Sequence, residues 1–161
     1  MTTILHSAGF LGTNANFAAD ATLVVMLFAA ALFTLGVALA LRRRYEAHRW
    51  VQTSAAALNA IMVGWMMVLP FRDFVLRDQG GPRLPIFYAI TAAHALMGFT
   101  ALTFGLFVVL RGNGLMIAPL RFRRYKPFMR AAYGLYMTAT LIGLLVYIVW
   151  FVVEPNPPLY R

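Results

Sequence analysis

The sequence predicts an all-α integral membrane protein, an antiparallel four-helix transmembrane bundle with both termini outside. Three observations carry that reading. Four long runs contain no Lys, Arg, Asp or Glu. The composition is 61% hydrophobic and 12% charged, with a mean hydropathy of +0.73 over 161 residues, well outside the range of an ordinary soluble domain. The basic residues fall into alternate loops, as the positive-inside rule requires. One domain, 1–161, is expected, with helices at about 21–41, 49–71, 84–110 and 129–153.

Taken in order, residues 1–19 hold no Lys or Arg. The basic region of a secretory signal is therefore missing, and the N-terminus is expected to be retained. Asp20 is placed to cap a helix, and the 21 uncharged residues from Ala21 to Leu41 suffice for one crossing. Arg42, Arg43 and Arg44 end it. A second uncharged run, Trp50 to Phe71, follows the loop YEAHR and stops at Pro70 and the charged segment FRDFVLRDQGGPR. That segment offers one interfacial turn, with Phe71, Phe74 and Val75 toward lipid. Leu84 to Leu110 comes next; its 27 residues reach about 40 Å as a helix, against a hydrocarbon slab of about 30 Å. Pro85 stands in its first turn, where a missing amide costs little. A basic loop, Arg111 to Arg130, leads to a fourth run, Ala131 to Val153, and a proline-rich tail.

Charge sets the topology. The loops after the first and third spans hold ten basic residues against Glu46 alone, whereas the opposite side holds four basic residues against four acidic ones. Both basic loops are thus expected in the cytoplasm, in a multi-pass membrane protein. Arg42, Arg43, Arg44, Arg121, Arg123 and Arg124 are the residues expected among lipid headgroups. The same distribution turns the net charge of +9 away from nucleic acid. With no cysteine in the chain, thiolate metal sites, disulfides and thiol catalysis are excluded. No span is expected to hold an acidic residue, and glycine-rich phosphate loops and zinc-protease motifs are absent. The protein is not expected to be an enzyme, and no metal site is expected.

Depth can be counted at about 1.5 Å per helical residue. His94 lies ten residues into its span, level with Asn59 on the second helix, with Thr140 within a turn on the fourth. Asn59, His94, Thr140 and Tyr136 are therefore expected to form a buried polar layer, with His94 bonded to Asn59 or Thr140. Thr91, His94, Gly98, Ala101 and Gly105 share one helical face, and Tyr133, Tyr136, Thr140, Gly143 and Tyr147 another; both are expected to point inward. Tyr136 also has the option of lining a pocket for an aromatic headgroup. His94 has three readings: a structural hydrogen bond, which is preferred; an axial haem ligand; and a proton relay or quinone contact. His48 is expected in solvent at the cytoplasmic edge.

In HRW at 48–50, IFYAITAAHALMGFTAL at 86–102 and RFRRYKPFMRAAYGLYMTATLIGLLVYIVWF at 121–151, the chain resembles a family of small four-helix bacterial membrane proteins that includes the CtaM-like haem-copper oxidase maturation factor. The likeness covers roughly residues 22–153. It implies an accessory or assembly subunit of a respiratory or related electron-transfer complex, without its own active site, beside larger membrane subunits and lipids. The alternative is a small b-type cytochrome or quinone-reactive protein using His94, with haem b or quinone; no intrinsic cofactor is expected on the first reading. His48 and His94 match histidines typical of the family. Two other family histidines are missing here, in the Phe71 and Arg72 region and at Tyr125, and this departure favours a structural subunit.

Overall fold

A computed structural model describes residues 7–68, 72, 76, 85–120 and 124–153. The regular structure among them is helical: α1 is Phe17–Leu41, α2 is Tyr45–Met62, α3 is Pro85–Gly112 and α4 is Tyr125–Ile148. α2 and α4 each run on into a wider π turn, Val63–Met67 and Val149–Val153. α1 packs on α2 and α4, and α3 packs on α4 and α2. Phe17–Leu41, Pro85–Gly112 and Tyr125–Val153 are long and apolar enough to cross a membrane, which is the build of a membrane protein. α2 is not among them. It starts at Tyr45 rather than near 49, so its first turns carry Glu46, His48, Arg49 and Gln52, and Leu69 to Phe71 lie outside the described residues. The expected interfacial turn at Phe71, Phe74 and Val75 also lies outside them.

The start of α1 differs from the expectation in a way that matters. Asn16, not Asp20, is the N-cap, its Oδ1 accepting the amide of Ala19 at 2.8 Å. The helix thus begins at Phe17 and takes Asp20 into its first turn, where a negative charge suits the helix dipole. Asp20 is completely buried, so a span does contain an acidic residue. The reason is the segment before α1, which folds back over the carboxylate. Phe10 and Leu11 donate their amides to Asp20 Oδ2 at 2.6 and 2.7 Å, and Tyr147 donates its hydroxyl to Oδ1 at 2.6 Å. Thr13 Oγ1 is 2.7 Å from the same Tyr147 hydroxyl, and the amide of Asn14 donates to Phe151 O at 3.1 Å. Gly9 lies so close beneath that a Cβ there would strike Asp20 Oδ2 and Ala15 O.

At the opposite end, α1 stops because Arg43 adopts a left-handed conformation, φ 59°, which an α-helix cannot continue. The amide of Arg44 then donates to Leu39 O, using one of the carbonyls a helix end leaves open. This reversal lays α2 back along α1. His48 is buried, not solvated, because its Nδ1 donates to Gly36 O at 2.7 Å, and Gln52 Nε2 donates to Phe33 O at 3.2 Å. The interior is built largely from small residues, with Ala29, Ala30, Ala55, Ala56, Ala101 and Ala139 all buried, so backbones approach closely. α3 is the least covered of the three apolar helices, with 11% of its window buried.

Replacing Asp20 strands three donors in an enclosed site. Asp20→Ala is expected to lower stability in detergent by about 3 kcal/mol, and Tyr147→Phe by about half as much. Thermal or denaturant unfolding followed by circular dichroism checks both the loss and its order.

Candidate ligand-binding site

A cavity of about 590 Å³ lies among α1, α3 and the two π turns. Its walls are almost wholly apolar. Met26 comes from α1, Met66 from the first π turn, Gly98 from α3, Trp150 from the second π turn, and Tyr147 from the end of α4. Each π turn carries one extra residue per turn and so widens its helix; such turns recur at functional sites. Here both sit on the cavity wall.

Among the described residues, His94 is the one imidazole on that wall. It reaches it from the middle of α3, whose face of Thr91, His94 and Gly98 lines the space. Its Nδ1 lies 3.1 Å from Ala139 O on α4. A carbonyl oxygen only accepts, so Nδ1 carries the proton, and a neutral ring presents the bare lone pair of Nε2. Nε2 makes no hydrogen bond among the described residues. The ring can approach α4 because residue 143 is glycine: a Cβ there would stand 2.7 Å from His94 Cε1 and 2.9 Å from Met26 Sδ.

The other polar groups on the wall are already engaged. Thr91 Oγ1 donates to Phe87 O at 2.8 Å and receives Trp150 Nε1 at 2.9 Å. Thr22 Oγ1 donates to Ala18 O, and the Tyr147 hydroxyl is held by Asp20 and Thr13. Among the described residues, Arg72 is the single charged side chain on the wall. The arrangement can receive one proton donor, or one metal atom, on an otherwise greasy ligand.

The expected polar layer is assembled differently. Asn59, Thr140 and Tyr136 are buried, but His94 bonds to the Ala139 carbonyl and to neither Asn59 nor Thr140. Thr140 turns its hydroxyl onto Tyr136 O of its own helix at 3.0 Å, a local option always open to a helical threonine. Tyr136 does not line the cavity. Its hydroxyl donates to Met26 O at 3.3 Å and its ring packs on Phe33. The Tyr133 hydroxyl lies 3.1 Å from Thr34 Oγ1.

His48 serves the contact between α1 and α2 and takes no part in the site. Arg42, Arg43 and Arg44 are exposed in the turn after α1, and Arg124 is exposed at the N-cap of α4; Arg121 and Arg123 lie outside the described residues. Among the described residues no three His, Asp or Glu side chains gather as a metal cage. Sequence reasoning missed the burial of Asp20 inside a span and the cavity itself. A signal for Asp20 existed in Asn16, an equally good cap four residues earlier. For the cavity there was none, since π turns have no sequence mark comparable to a proline or a glycine pair.

Comparisons with protein-family models, with curated proteins and with solved structures find no match.

Two outcomes follow from the ring geometry. Nitrogen-15 spectra of the labelled histidines are expected to show His94 as the tautomer protonated at Nδ1; the opposite tautomer would remove the Ala139 bond. Gly143→Ala is expected to push the ring and the Met26 sulfur aside at a cost of about 1–3 kcal/mol, read as a lower unfolding temperature together with a shifted His94 ring signal.

Proposed function

We propose that the chain is an accessory or assembly subunit of a respiratory or related electron-transfer complex in a bacterial inner membrane, with no catalytic site of its own. In this reading α2 crosses with the other three helices. The whole is an antiparallel four-helix bundle with both termini outside, and Arg42, Arg43, Arg44, Arg121, Arg123 and Arg124 hold cytoplasmic headgroups. The observation that carries it is the open face of α3. Ile86, Leu96 and Phe99 are 61, 71 and 66% exposed, an apolar surface suited to the helices of larger membrane subunits as well as to lipid. The resemblance in the HRW, IFYAITAAHALMGFTAL and RFRRYKPFMRAAYGLYMTATLIGLLVYIVWF segments supplies the respiratory setting.

A second reading, a small b-type cytochrome or quinone-reactive protein, is favoured by one feature: the bare Nε2 of His94 on an apolar cavity. A haem would take that nitrogen as one axial ligand, and a quinol would take it as a hydrogen-bond acceptor.

Gentle detergent extraction of native membranes is expected to recover the protein with haem-bearing subunits; recovery as a free monomer alone sinks the accessory reading. A reduced-minus-oxidised optical spectrum of the isolated chain tests the cytochrome, which requires a haem band in the absence of partners. Topology is open to single-cysteine labelling, because the chain has no cysteine of its own. Cysteine at Thr13 is expected to react with an impermeant reagent from outside, and cysteine at Arg43 only after the membrane is opened.

A further inference from the structure

We propose that the cavity binds a neutral, lipid-soluble ligand with an apolar body and a hydroxyl donor, of the hydroquinone class, whose O–H is received by His94 Nε2. This rests on, and narrows, the quinone-reactive form of the second reading.

The argument starts from the direction of one hydrogen bond. Ala139 O holds His94 Nδ1 at 3.1 Å, and a carbonyl cannot donate, so the neutral ring offers the cavity an acceptor and not a donor. A quinone presents carbonyl acceptors to that nitrogen, and two acceptors face each other without a proton between them. A hydroquinone presents O–H and completes the bond. At His94 the site therefore favours the reduced form of the same molecule over the oxidised one by one hydrogen bond.

Apart from the exposed Arg72, the described wall suits a neutral ligand. Thr22, Thr91, Trp150 and Tyr147 have their polar hydrogens committed to protein acceptors, so on α1, α3 and α4 the group left to meet a polar ligand atom is His94 Nε2. A water at Nε2 would need two to four polar partners, and the apolar wall is poor in them. The volume of about 590 Å³ falls within the range of small-molecule sites. Phe99, Phe151 and Trp150 supply aromatic contact for a ring, and Met26, Met66 and Met67 supply adaptable surface for a chain.

The experiment uses the full chain in lipid nanodiscs at about pH 8, above the ordinary imidazole range. Decylubiquinol, kept reduced, is titrated in parallel with decylubiquinone, with farnesol as an isoprenoid alcohol, and with haemin. Binding is read by quenching of tryptophan fluorescence and by equilibrium dialysis. The expected result is saturable decylubiquinol binding, with decylubiquinone about tenfold weaker, a difference of one hydrogen bond. His94→Phe is expected to abolish the preference.

Gly98→Leu is the second variant. A Cβ at Gly98 meets nothing within 4 Å, so the larger side chain fills the cavity without breaking a hydrogen bond, and binding is expected to fall at least tenfold while the fold survives. Equal binding of quinol and quinone overturns the acceptor argument and leaves the quinone-reactive reading standing. Farnesol binding as tightly as the quinol assigns the site to lipid alcohols and overturns the hydroquinone class. A haem absorption band that depends on His94 favours the cytochrome and overturns the proposal, and binding of none of the four overturns both.

Discussion

A polar side chain surrounded by hydrocarbon must bond to another part of the protein; the threonines here turn to a carbonyl of their own helix, and longer side chains reach a backbone carbonyl of the facing helix. His48 reaches Gly36 O, Gln52 reaches Phe33 O, His94 reaches Ala139 O, Tyr136 reaches Met26 O and Tyr125 reaches Val108 O. A carbonyl already bonded along its helix keeps a second lone pair, so every turn of a neighbouring helix offers an acceptor at every depth. Each such bond is worth roughly 0.6–2 kcal/mol in a membrane. Their combined effect is to fix which faces meet, more than to supply the energy of packing. The buried alanines and Gly143 let the helices approach closely enough for side chains to span the gap.

The same constraint explains the N-terminal segment. A carboxylate in the first turn of α1 cannot be left bare, and the two helices on either side provide only Tyr147. Residues 7–16 fold back and supply the remaining donors from their own amides. The carboxylate thereby organises the turn that covers it, and Tyr147, shared between the Asp20 bond and the cavity wall, joins this cap to the site below. Tyr147 consequently contributes its ring to the cavity and withholds its hydroxyl from it.

The cavity exists where two helices stop being regular. Val63–Met67 and Val149–Val153 are π turns, both on the wall of a space that the small residues Gly98 and Ala95 of α3 do not fill. His94 brings an imidazole to a greasy wall. A structural hydrogen bond and a ligand contact, which compete as explanations for a lone histidine in a span, are here two ends of one ring: Nδ1 anchors it and Nε2 faces the space.

The runs of apolar residues determined by themselves that the chain is helical and lipid-embedded, because length and hydropathy are properties of a segment taken alone. Counting residues along helices also put Asn59, His94, Thr140 and Tyr136 at neighbouring depths, but depth by itself does not say which of them meet. What bonds to what was decided by tertiary structure. Asp20 was an expected cap and became a buried carboxylate, His48 was expected in solvent and became a clasp, and the Asn59, His94 and Thr140 layer gave way to a bond with Ala139 O. The physical reason is common to all three. A side chain's identity is written in the sequence, but its partner here is largely a backbone amide or carbonyl, a group the whole chain repeats and which no pattern of residue types can single out until the segments have been brought together.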